Sequence, residues 1–231
     1  MGAVVQCQRT RFYLSEPEED GRTFVCDRCP EHETYCRARP GDQPHGVVGL
    51  ATAMCRTEFG VPDDGYPTVV WLGEEPEAVF EEDLGAYHVY LWRDATPVQA
   101  LYQAAHESFH RVCTPTGSFH WVHEMLAVHF SLLVLDRVGQ HAYATAARVR
   151  LTSEAEQCSL ARMRGLSGLP YPVGLYGRAY VAGGELIEAV GWDKLRHLAL
   201  ARDEAGRPCI DTWLDSLPTA ERTRAQRVSG R

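Results

Sequence analysis

The sequence predicts an α+β protein: a small twisted β-sheet packed on one helix, followed by a mostly helical C-terminal half. Three observations carry this. Residues 68–72 and 87–92 are rich in β-branched and aromatic side chains, the mark of strands. From residue 96 onward apolar residues recur at helical spacing in segment after segment. The 231 residues, 45% hydrophobic and 23% charged, suffice for a real core in one domain.

In order, residues 3–6 and 11–14 read as short strands around a loop, and 16–21 as a turn. Residues 37–43 form a Pro/Gly-rich linker. This divides the chain into an N-terminal extension or subdomain, 1–45, that carries a cysteine cluster, and a main domain, 46–231. Val47, Leu50, Ala51, Met54 and Phe59 mark one side of a helix over 47–59, with a turn at 60–65. The acidic residues between the two strands, Glu74–Glu77 and Glu81–Asp83, read as a solvated loop or as a rim favouring basic substrates. The strand at 88–92 is the expected sheet edge, where extended substrate could add. Thr96-Pro97-Val98-Gln99 opens the next helix with an N-cap, Pro at the first position and Gln where a capping box needs it. Residues 114–117 (Thr-Pro-Thr-Gly) stop it. A helix apolar nearly all round, and therefore buried, spans about 119–138 and ends at Gly139. Helices over 140–151 and 154–164, a loop at 165–174, and helical segments through Gly184 to Val190, 195–201 and 210–217 complete the half. The polar tail 220–231 is expected to fray.

The helix opened by Thr96 carries His106-Glu107-Ser108-Phe109-His110. Histidines four apart lie on one helix face, so both imidazoles can reach one ion. Glu107 projects from the same region and can touch a water at that ion. The pentapeptide arises by chance in roughly one in a few tens of chains this long, so its context decides. Glu124 supplies part of that context. It lies in the buried helix, where an unpaired carboxylate is costly and requires a metal, an Arg or a His as partner.

His106, Glu107, His110 and Glu124 together resemble the gluzincin branch of the zinc metallopeptidases. The pattern is HExxH, a short connection, then Glu on the next helix. The resemblance implies a zincin-like fold over 46–231, with one catalytic Zn2+ held by His106, His110 and Glu124. It also implies that Glu107 is the general base. The segment Tyr171-Pro-Val-Gly-Leu-Tyr176-Gly-Arg-Ala-Tyr180 is similar to the stretch of aminopeptidase N relatives in which a Tyr donates to the oxyanion. Tyr176 is the match, Tyr171 a possible assistant and Tyr180 the competitor. No Gly-Ala-Met-Glu-Asn segment is present, so capture of a free amino terminus is not implied. The expected activity is cleavage of a peptide or protein substrate. The alternatives are a zinc-dependent tailoring enzyme on a small molecule and a non-catalytic, metal-binding regulatory module. A repressor-cleaving peptidase is a narrower idea, for which no helix-turn-helix is evident.

A second, structural zinc is a candidate at Cys26, Cys29, His32 and Cys36, although these thiols could also simply pack. His120, His123 and His129 are expected to be buried structural residues or supports of a ligand. Cys113 is expected to pack. A net charge of -8 and the lack of a basic stripe argue against nucleic-acid partners. No stretch reaches the length of a membrane span and no secretion signal is visible. The expected compartment is therefore the cytoplasm, with the 8 cysteines reduced. Oligomeric state is not legible.

Overall fold

The computed structural model describes residues 4–14, 16–114, 121–165, 171–204 and 209–230. It is α+β, as the sequence predicts, with a mixed sheet and a helical C-terminal half.

Two sheets form at the N-terminal side. Strands β1 (Val5–Gln6) and β2 (Tyr13–Leu14) make an antiparallel hairpin. Strands β3 (Thr23–Val25), β4 (Thr34–Arg37), β5 (Thr68–Gly73), β6 (Glu77–Glu81) and β7 (Ala86–Trp92) form the main sheet in the order β3-β4-β5-β7-β6. β5 and β7 are parallel, with Val70 opposite Val89; the other pairs are antiparallel.

Two expectations are overturned here. β7 is an interior strand, hydrogen-bonded on both sides, and the edge is β6. The acidic segment is also not all loop. Glu77 to Glu81 is that edge strand, and Glu81 is buried, accepting a hydrogen bond from Tyr13 Oη at 2.7 Å. Charged residues on an edge strand discourage pairing with other chains, which is why the strand is hard to see in composition.

Alternation along the strands sends side chains to two faces. One face carries Phe24, Tyr35, Trp71 and Tyr90, covered by Val5 and Leu14 of the small hairpin. The other carries Val70, Val89 and Leu91, covered by helices α1 (Gln43–Phe59) and α2 (Pro97–Cys113). The result is three layers: hairpin, sheet, helices.

The helical half continues with α3 (Trp121–Arg137), α4 (His141–Glu154), α5 (Leu160–Arg164), α6 (Leu175–Val190), α7 (Trp192–Leu195), α8 (Ile210–Ser216) and α9 (Thr219–Ser229). The expected single helix over 154–164 is broken. A 3-10 turn at Ala155–Gln157 leads to an extended Cys158, and Ser159 caps α5 by accepting from the Arg162 N–H. The tail expected to fray is instead helix α9, anchored by buried Ala225 and Ser229. Residues 115–117 of the proposed stop and 166–170 of the expected loop fall outside the described residues, as does His120; 171–174 are neither helix nor strand, as expected. No helix among the described residues is long and apolar enough to cross a membrane.

Candidate functional site

Helix α2 follows β7 after a short turn, which fixes the motif relative to the sheet. Its start is locked by the capping box between Thr96 and Gln99, with Pro97 at the first position. Phe109 and Ala105 face the core, His106 and His110 face Glu124 of the next helix, and His106 and Glu107 line the cleft beside it. Thr114 sits one turn beyond His110. Its hydroxyl donates to the His110 carbonyl at 2.8 Å and lies 3.3 Å from His110 Nδ1. That contact turns Nε2 of His110 towards His106.

Helix α3 is buried on nearly all sides and places Glu124 in its first turn, where the helix dipole favours an anion. His106 Nε2 is 3.2 Å from Glu124 Oε2. His110 Nε2 is 3.2 Å from His106 Nε2 and 3.5 Å from Glu124 Oε1. The three side chains thus converge, with ligand atoms within 4.8 Å of one another.

These residues fit a zinc ion. Tetrahedral bonds of 2.0–2.2 Å place neighbouring ligand atoms about 3.3–3.6 Å apart, close to the three separations observed. Two imidazole nitrogens facing each other at this distance also require something positive between them, a shared proton or a cation.

Electrostatics are strongly coupled. Burial alone would raise the Glu124 carboxyl, but His110 and His106 outweigh it and hold it well below the usual carboxylate range. Burial opposes the charged form of His110, yet Glu124 prevails and its pKa rises. Glu107 is pushed up, chiefly by burial.

Tyr176 and Tyr171 come to the same place. Tyr176 lies in the first turn of α6, with its ring 5.5 Å from that of His106 and nearly perpendicular to it. It remains 39% exposed, at the mouth of the cleft. Tyr171 Oη donates to Glu124 Oε1 at 3.4 Å. Both phenols are pushed up, first by burial and then by the Glu124 charge. Tyr180 is elsewhere, stacked on His129 at 5.2 Å. His129 Nε2 lies 2.8 Å from the Tyr180 carbonyl, and His123 is buried beside Phe109. Cys113 packs in the core next to Cys55.

Two glycines allow α6 to come this close. Gly174 caps it with φ 80°, and a Cβ there would lie 2.8 Å from Gln157 Cβ. A Cβ on Gly177 would meet the Leu151 carbonyl oxygen and the Ala155 nitrogen, the latter at 2.7 Å. Both press the N-terminal end of α6 against the end of α4.

The cleft holds about 470 Å³ and is lined by His106, Glu107, Tyr176, Tyr102, Tyr143 and Trp92, with Arg150 and Glu154 at one side. Tyr102 was missed by sequence reasoning, although a signal was present: it lies four residues before His106 on the same helix face.

The N-terminal cysteine cluster is rearranged. Cys26 and Cys29 meet Cys7 rather than His32 and Cys36. His32 is exposed with φ 48°. Cys36 follows Tyr35 in β4, and the strand's alternation turns it to the opposite face.

Comparison with protein families, with curated proteins and with solved structures finds no match for this chain. The resemblance to gluzincins therefore rests on the motif residues themselves.

Proposed function

We propose that the chain is a zinc-dependent hydrolase of gluzincin type that cleaves peptide bonds. His106, His110 and Glu124 would hold the ion. The observation that supports this most directly is the convergence of those three donors, with His106 and the neighbouring Glu107 lining an open cleft. A purely structural site needs neither the cleft nor a buried carboxyl next to it.

When bound, a zinc ion supplies Lewis acidity and makes water nucleophilic near neutral pH. Glu107 takes a proton from the attacking water and passes it to the leaving amine. Its burial raises the carboxyl towards the range in which it can both accept and release a proton. Tyr176 donates its hydroxyl to the carbonyl oxygen as that atom gains charge. Tyr171 and Thr114 orient Glu124 and His110. The aromatic wall of Tyr102, Tyr143 and Trp92 receives substrate side chains.

A second reading, hydrolysis of a small molecule, is favoured by the cleft volume, which falls within the small-ligand range. One experiment tests both. Wild type and Glu107→Gln are loaded with zinc and assayed on a peptide library and on a panel of small amides and esters. We expect equal metal content, turnover of peptides by wild type, and loss of at least about a thousandfold in the variant. Turnover of the small panel alone would select the second reading. Undiminished hydrolysis by Glu107→Gln would overturn both.

A further inference from the structure

The N-terminal layer contains a cluster that the proposed hydrolytic site does not use. Cys7 Sγ and Cys29 Sγ are 3.3 Å apart, and Cys26 completes a group whose sulfurs lie within 4.8 Å of one another. All three are buried. We infer that Cys7, Cys26 and Cys29 form a second metal site, a structural one for zinc, which fastens the β1–β2 hairpin to the β3–β4 turn.

The geometry suits the ion. Bonds of 2.3 Å place tetrahedral thiolates about 3.8 Å apart; Cys7 and Cys29 stand 3.3 Å apart, and all three sulfurs lie within 4.8 Å, so a small adjustment admits the ion. The backbone is arranged for it as well. The Cys26 turn is closed by Cys29 N–H donating to the Cys26 carbonyl at 3.4 Å, and Cys26 N–H donates to the Glu33 carbonyl at 2.8 Å. In the first hairpin Cys7 N–H donates to the Phe12 carbonyl, and Arg11 N–H to the Cys7 carbonyl, both at 2.8 Å. Amide N–H groups point at sulfur: Thr10 N–H to Cys7 Sγ at 3.4 Å, and Arg28 N–H to Cys26 Sγ. Donors of this kind stabilise thiolates. Arg11 and His32, the two non-glycine residues with positive φ among those described, sit one in each loop of this cluster.

The two turns repeat each other in sequence. Cys7-Gln8-Arg9-Thr10 matches Cys26-Asp27-Arg28-Cys29, with Thr10 in the place of the second cysteine. Thr10 Oγ1 lies 3.6 Å from Cys26 Sγ. The fourth corner of the tetrahedron therefore falls beside the Thr10 hydroxyl. Cys7 Sγ donates to Glu33 Oε2 at 3.2 Å, and Glu33 also accepts from the Tyr35 hydroxyl; the thiol proton held there is the one that zinc would displace.

The test isolates this site in a His106→Ala background, so that its failure and that of the hydrolytic centre are distinguishable. Full-length protein is stripped of metal under reducing conditions and reloaded with zinc or cobalt(II) alone. We expect one zinc per chain by elemental mass spectrometry, and a cobalt form with intense near-ultraviolet sulfur-to-metal charge transfer. Adding Thr10→Cys should intensify that band and tighten zinc at least tenfold against a chromophoric chelator. Adding Cys26→Ser and Cys29→Ser should abolish binding. Because that variant can also fail to fold, the Thr10→Cys gain is the decisive comparison. No zinc in the His106→Ala protein, cobalt without sulfur charge transfer, or a Cys7–Cys29 disulfide found by non-reducing peptide mapping after loading would each overturn the inference.

Discussion

His88 makes the protein acid-sensitive by an amount the structure allows to be worked out. It sits in β7, 3% exposed, with Trp71 Nε1–H donating to its Nδ1 at 3.2 Å. A protonated ring has no lone pair there, so charging His88 would break this bond and bury a cation. Burial, aided by the charge of Arg37, pushes its pKa from 6.5 down to about 4. The unfolded chain thus binds a proton in a window where the folded chain does not. Stability is full above about pH 6.5, falls as pH drops through the window, and is lost in full below about pH 4. A drop of about 2.5 units at 1.36 kcal/mol each is about 3 kcal/mol in total, of which about 2 kcal/mol is already gone at pH 5. His129, also pushed down to about 4 by burial, adds a similar slope, so the measurement is a difference. Urea unfolding of wild type and His88→Asn is followed at intervals from pH 7.5 to 4.5. The Asn Oδ1 keeps an acceptor for Trp71 without a titrating ring. Wild type should lose about 2 kcal/mol more than the variant between pH 7.5 and pH 5. Parallel stability curves would refute the reasoning.

The remaining predictions concern the cleft. Gly177→Ala drives a methyl into the backbone of residues 151 and 155, so urea unfolding should show a loss of about 1–3 kcal/mol. Any residual folded protein should show reduced turnover, because the push displaces Tyr176. Tyr176→Phe should lower kcat about 10²–10³-fold with zinc content and melting temperature unchanged; a kcat within a factor of two of wild type would remove Tyr176 from the mechanism.

Where the sequence was informative, the physics was local. The capping residues Thr96 and Gln99 lie three apart, and the candidate pair His106 and His110 four apart, so helix geometry alone relates them. Glu124 was legible for another reason: a carboxylate in an otherwise apolar helix must have a partner. The failures were tertiary. Cys7 reaches Cys26 only because two separate hairpins pack together, and no spacing rule connects them. β6 hides its strand character behind Glu77 and Glu81, which are tolerated because it is an edge. Helix α9 has a polar sequence and is held by its packing on α6 rather than by its own composition.

The layered sheet also sets an order of events during translation. Val5 and Leu14 cover Trp71 and Tyr90, which leave the ribosome much later. At about 5–20 residues per second the wait from Leu14 to Trp92 is on the order of 4–16 s. For that interval the first hairpins have no sheet to rest on. Cys7, Cys26 and Cys29 are all synthesised before β5 begins, so a metal captured there would hold the nascent N-terminus in its final arrangement until the strands it covers arrive.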